Sequence, residues 1–225
     1  MFGIFKKRTK PDFGEIRELL FGDVPLSEWR SRDQSGDSVE PWSSFVSVRL
    51  ALEKNQPATA VGILQELLSR PDLESRQHLQ IWHFLRQLGI QPNGVEASRV
   101  HGVVVEVHLP GGLDTLAAYA DRSARYINHG GRLIVWETRD ESIERAIDKV
   151  VQIGQLVAEA IGPWKEARRP APAKGHARLN MLTPSGLHFG EGPFDALSQD
   201  PMGGPIIAAG AELMQALIAR VKATA

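Results

Sequence analysis

The sequence has no cysteine in its 225 residues, which excludes disulfides, thiol nucleophiles and any zinc or iron–sulfur site built on thiolates. It also lacks the catalytic signatures that would name a reaction. There is no G-x-S-x-G nucleophile elbow, so His129-Gly130-Gly131, although it looks like an esterase oxyanion loop, has no serine to serve, and Ser185 sits in a turn, TPSGL. Neither G-x-G-x-x-G nor G-x-x-x-x-G-K-[ST] occurs. The glycines before the two last helical stretches, Gly190 and Gly192, then Gly203 and Gly204, read as tight turns, and Asp200 beside the second pair would repel phosphate. A net charge of -1 gives no basic domain for nucleic acid, so no nucleic-acid partner is expected. No apolar run approaches the roughly 20 residues that span a bilayer.

What is present is an ordinary globular composition, 42% hydrophobic and 24% charged. The stretch from Gly102 to Gly162 organises it. VVVEVHL, Val103 to Leu109, is β-branched and alternates in period two, and Pro110-Gly111-Gly112 turns it into a second extended run. LDTLAAYADRSARYIN predicts a hairpin whose two-residue loop is Arg122 and Ser123, which sets Tyr119 across from Tyr126 on one face. HGGR marks a further turn before RLIVWE. Thr138 with Glu141 suggests a capping box for the long helix that follows. Its stripe of Ile143, Ile147, Val150, Val151, Gly154, Val157, Ala158 and Ile161 must be buried, and Gly162-Pro163 ends it.

Upstream, Asp12–Phe21 predicts a short helix stopped by Gly22, and Ser31–Pro41 reads as a polar loop. Three helical patterns follow at Trp42–Lys54, Pro57–Ser69 and Leu73–Leu88. Downstream, strands are predicted at Ala177–Thr183 and Leu187–Phe189, a short helical turn at Phe194–Leu197, and a last helix with Pro205 near its first turn. The whole is α+β: a helical segment, then a mostly antiparallel sheet built as strand meander, long helix, strand pair and C-terminal helix, since the strand connections are too short for parallel crossovers. The expected organisation is a helical region over 1–94 and a sheet domain over 99–225, with a Pro-rich basic linker over 165–178, expected as an exposed crossover connection. Through Ala51, Ala60, Leu64, Leu67 and Pro71, the segment ALEKNQPATAVGILQELLSRPD resembles one tetratricopeptide-like hairpin, a local feature because such arrays need about three repeats. The element order as a whole is similar to that of small secretion chaperones and related adaptors, a likeness of order that implies no activity.

The candidate functional residues lie on the meander. In strand one Val103, Val105, Val107 and Leu109 form the side that a helix would cover, against Val104, Glu106 and His108. In strand two Leu116, Ala118 and Ala120 alternate with Thr115, Ala117 and Tyr119 in the same way. Glu106, His108 and Tyr119, joined by Tyr126 and Trp136, form a mixed polar and aromatic face of the kind used for partner binding. The alternative is that the N-terminal helices cover it.

The expected function is therefore a non-enzymatic protein-interaction module, adaptor or chaperone-like, that binds a protein partner through this sheet face or the helical hairpin and is open to homo-oligomer formation. The rival is an enzyme or small-ligand binder using Glu106, His108, Tyr119, Tyr126 and His188. No cofactor is expected, and no metal: His78 and His83 are five apart on a helix and diverge, and Glu106 with His108, or His188 with Glu191, gives no convergent set of three. Phe2 and Phe5 beside Lys6, Lys7 and Arg8 suggest weak contact with an anionic membrane from the cytoplasmic side; the basic cluster follows too short an apolar stretch for a signal peptide.

Overall fold

The computed structural model describes residues 13–25 and 40–224; the membrane-contact residues Phe2, Phe5, Lys6, Lys7 and Arg8 lie outside them, as does most of the polar loop. Among the described residues the fold is α+β, with eight helices and a six-stranded antiparallel sheet. The helices α1 (Phe13–Glu18), α2 (Trp42–Glu53), α3 (Pro57–Leu68), α4 (Ser75–Gln87) and α5 (Gly94–Ser98) precede β1 (Gly102–Leu109), β2 (Gly112–Tyr119), β3 (Ala124–Ile127) and β4 (Leu133–Trp136). Then come α6 (Glu141–Ala160), β5 (His176–Thr183), β6 (Gly186–Pro193), α7 (Phe194–Gln199) and α8 (Gly203–Thr224). The strand order is β4-β3-β2-β1-β5-β6, so the meander forms one half and the later hairpin pairs with β1 to form the other.

The period-two pattern of β1 divides the interior. Val103 and Val105 face α6 and α8, in one cluster with Leu116, Ala118, Ala124, Tyr126, Leu179 and Met181. Val104 faces the opposite way, with Ala117, Tyr119, Ile127 and Leu182, against Leu20 and Phe21 after α1 and Leu79 of α4. A third cluster, Phe45, Val48, Ala60, Leu64, Leu67, Ile81, Phe84 and Leu85, holds α2, α3 and α4 together.

Helix α6 buries Ile143, Ile147, Val150, Gly154 and Ala158 on the predicted spacing. Gly154 permits a close approach to the sheet: a Cβ there would sit 2.4 Å from Val103 Cγ2. Its cap differs from expectation. Asp140 is the N-cap, its carboxylate accepting from Ser142 N at 2.9 Å and Ile143 N at 3.2 Å, so the helix begins two residues later than a Thr138–Glu141 box would place it. Ile147→Ala is expected to cost about 2–5 kcal/mol in a denaturant titration, against about 0.5 kcal/mol or less for the exposed Arg145→Ala. Equal losses would contradict this packing. Glu144 is unsuitable as the polar control because it is held by Arg122 at 2.7 Å.

Helix α8 is long and apolar enough, by length and composition, to cross a membrane, with a mean hydropathy of 1.2 within Gly203–Lys222. Here its apolar side serves the core: Ile206, Ala209, Leu213 and Leu217 are buried against the sheet and α6. No contiguous run of large apolar residues marks this helix in the sequence, because Gly, Ala and Pro interleave them.

Candidate functional site

The structure closes the sheet face that the sequence marks for partner binding, and it separates the residues that were to form it. Glu106 is fully buried. Its Oε1 accepts from Arg17 Nε of α1 at 2.6 Å and its Oε2 from Asn180 Nδ2 at 3.1 Å, with Arg178 Nη1 at 3.9 Å. Tyr119 is fully buried too, its hydroxyl donating to Leu20 O at 2.7 Å, and burial raises its pKa above the ordinary tyrosine value. His108 Nδ1 lies 2.8 Å from Pro172 O. Tyr126 and Trp136 are on the other face, packed in the cluster beneath α6 and α8. The rival ligand-binding set fails on the same ground, since His188, paired with Met181, also lies on the α6 side, where its Nδ1 meets Ile161 O at 3.0 Å.

Loop length explains the misplaced tyrosine. The β2–β3 hairpin turns through three residues, Ala120 to Arg122, with Tyr119 N donating to Ser123 O and Arg122 N to Tyr119 O, and Arg122 in the left-handed region at φ 65°. Tyr126 therefore pairs with Leu116 rather than Tyr119, a slip of three positions, and an odd slip moves every side chain of the strand to the opposite face. Asp121 sets this turn: one carboxylate oxygen accepts from Ser123 N at 2.9 Å and the other from Ser75 N of α4 at 2.7 Å.

What closes the face is α1 together with the basic linker. Residues 163–174 are largely exposed, as an exposed crossover connection would be, but they are tied down as a strap. Arg168 lies over the Phe21 ring at 3.9 Å and pairs with Asp23 at 2.7 Å and Glu18 at 2.5 Å. Burial opposes its charge, but the hydrogen bonds and charges of these two carboxylates prevail and hold its pKa above the ordinary value. Arg178 anchors the strap from the sheet, Nη1 donating to Pro170 O at 2.6 Å and Arg169 O at 3.1 Å while its other nitrogens hold Glu191.

Strap, α4, the β5–β6 turn and the Phe21–Asp23 segment together enclose a groove of about 520 Å³. Phe21, Leu79, Leu182 and Leu187 are apolar parts of its lining, and His83, Arg86, Gln87, Trp164, Lys165, Thr183 and Ser185 supply polar groups. Arg86 decides its character. It is half-buried, it donates one hydrogen bond to Pro184 O, and among the described residues no carboxylate lies within ion-pair distance of it. Burial lowers its pKa, and the Asp23 charge that offsets part of this is already committed to Arg168. Burial likewise lowers the pKa of His83 on the same helix, which favours its neutral form. Sequence reasoning missed this groove because four separate segments build it; the nearest signal was Arg86 near the end of an amphipathic helix.

Three other polar constellations stand out. Ser185 Oγ lies 3.3 Å from His188 Nε2, with Ile161 O orienting the ring, but Ser185 also lies 2.8 Å from Thr183 Oγ1 and its backbone N–H is taken by Ala97 O. This hydroxyl ties a turn and lacks the free backbone donor beside it that an oxyanion requires. Asp114 receives His129 Nδ1 at 2.8 Å and the Tyr126 hydroxyl at 2.9 Å, and burial first, then Asp114, pushes the Tyr126 pKa up to about 12. Among the described residues no nucleophile is hydrogen-bonded to that His129. Finally His78, Glu96 and His101 converge where α4 and α5 meet β1, with ligand atoms all within 4.8 Å of one another. Burial, with the neighbouring His78 second, lowers the His101 pKa to about 4. The sequence paired His78 with His83 and so overlooked this cluster.

Compared with protein-family models, curated proteins and solved structures, the chain finds no match. The fold and the groove therefore define its class by themselves, an α+β protein with a strapped sheet and an open, cation-lined groove.

Proposed function

We propose that this chain is a non-enzymatic protein-interaction module, adaptor or chaperone-like, and that it binds its partner in the groove beside α4 through an acidic side chain. The observation that carries this reading is Arg86. A guanidinium held half-buried without a carboxylate is costly, and a partner carboxylate entering the groove would relieve that cost while its neighbouring side chains cover Leu79 and Leu187. Arg is well suited to this because its planar fork donates two parallel hydrogen bonds to one carboxylate. Lys165 adds charge of the same sign at the rim. The sheet face and its tyrosines have no part in this reading, since contact with Tyr119 would require the segment after α1 and helix α4 to leave.

The test uses pairs of extended peptides that differ only in one Glu or Gln, titrated while the indole N–H resonance of Trp164, a groove residue, is followed by NMR. Glu peptides should bind tenfold or more tighter than their Gln counterparts, and Arg86→Gln should abolish that difference, since removing one partner of a desolvated charge pair costs about 2–5 kcal/mol. Arg86→Gln should leave folding stability within about 1 kcal/mol of wild type. Equal affinity of wild type for Glu and Gln peptides, or an undiminished preference in the variant, would remove the groove from consideration.

A further inference from the structure

We infer that this chain holds a divalent first-row transition-metal ion, of which zinc is the representative case, between His78, Glu96 and His101. This site is separate from the groove and does not depend on the function proposed for it. Two observations carry the inference, and a third sets a condition on it.

The first is convergence. One nitrogen of each imidazole and one Glu96 oxygen lie within 4.8 Å of one another, although α4, α5 and the residue before β1 supply them separately. Bonds of about 2.0–2.1 Å in a tetrahedron place neighbouring ligand atoms about 3.3 Å apart. His101 Nε2 and Glu96 Oε1 are already 3.4 Å apart, long for a charge-assisted hydrogen bond and close to that edge.

Ring geometry sets a condition on the site. His78 and His101 lie face to face, with centroids 4.7 Å apart and planes at 17°. The lone pairs of stacked rings run within their own separate planes and do not meet at one point, so taking up the ion requires one ring to turn out of the stack.

The second supporting observation is an unsatisfied atom. His78 Nδ1 is buried and has no hydrogen-bond partner. Buried polar atoms without partners are rare enough to need an explanation, and a metal ion supplies one. Imidazole and carboxylate together suit zinc and its first-row neighbours better than calcium or magnesium, which prefer all-oxygen sites.

Arg99 is the unfavourable neighbour. It holds Glu96 Oε2 at 3.3 Å, which places a cation near the ion but also leaves Oε1 turned toward His101. Three protein ligands leave the remaining position to water, reached from the part-exposed Glu96 side. The ion would pin α4 and α5 to the start of β1.

The experiment takes the full chain without a polyhistidine tag, strips it with a chelator, and titrates it with Co²⁺ and then with Zn²⁺ in competition. Expected are saturation at one equivalent, the visible absorption of low-coordinate Co²⁺, its loss on adding Zn²⁺, and a rise in Tm with Zn²⁺. Glu96→Gln, on a part-exposed side chain that leaves the fold intact, should weaken Zn²⁺ binding tenfold or more, since even partners one step removed from a metal cost 10–100-fold. His78→Ala should do the same, while His176→Ala, at the half-buried start of β5 and away from the cluster, should leave affinity unchanged; if His78→Ala fails to fold, Glu96→Gln decides. Absence of saturable binding near one equivalent, or affinity within twofold of wild type in Glu96→Gln, overturns the site.

Discussion

Tyr119→Ala lowers the stability of this protein by about 3–5 kcal/mol, the range for deleting a large, fully buried aromatic side chain. The ring has no room to be replaced by water. Gly102 packs so close that a Cβ there would stand 2.7 Å from Tyr119 Cδ1, and the hydroxyl is the donor to Leu20 O that ties the segment after α1 to the sheet. Tyr119→Phe separates the two contributions and should cost about 0.5–1.5 kcal/mol, the net worth of one hydrogen bond. Urea titrations of the three proteins measure both values. A loss below about 1 kcal/mol for Tyr119→Ala would mean that the face is open, as a partner-binding surface would require.

The second large effect belongs to Glu106. Glu106→Ala leaves Arg17 and Arg178 buried without the carboxylate between them, and breaking such a pair from one side costs about 3–5 kcal/mol. Arg17 already has one buried nitrogen, Nη2, with no partner, so its desolvation is only partly met even in the wild type. Glu106→Leu combined with Arg17→Met should therefore recover much of the loss, because an apolar pair of similar volume often replaces a buried ion pair at no net cost. The recovery appears as a coupling energy of about 0.5–3 kcal/mol in a double-mutant cycle. Additive losses would show that α1 does not close over Glu106.

These two residues also mark where the sequence stops being informative. The alternation of Val103 to His108 shows which side of β1 goes under α6, because that depends only on local period and on the apolar stripe of the helix that must cover it. The reverse side carries a glutamate and a tyrosine, and polarity alone cannot distinguish a face open to solvent from one sealed by ion pairs. The sealing groups are remote in the chain: Arg17 is 89 residues from Glu106, and Arg168 is 145 from Asp23. Composition gave the strap as a proline-rich linker, but its immobilisation depends on those distant carboxylates. Tyr126 changes face because the loop begins two residues earlier than expected and holds three residues instead of two, a net slip of three, and Asp121 favours this loop through its own cross-contact to Ser75. The groove and the histidine cluster each need three or four segments to exist, so no local pattern carries them.

The claim that partner binding takes place beside Arg86 is tested most directly by photo-crosslinking in the source cells. A photoreactive residue replaces Gln87, an exposed groove position, or Val135, exposed on the edge strand β4. The account predicts a discrete crosslinked partner from position 87 that disappears when Arg86→Gln is added, and none from position 135. A partner captured from Val135 and absent from Gln87 would contradict it and move the binding surface to the sheet edge.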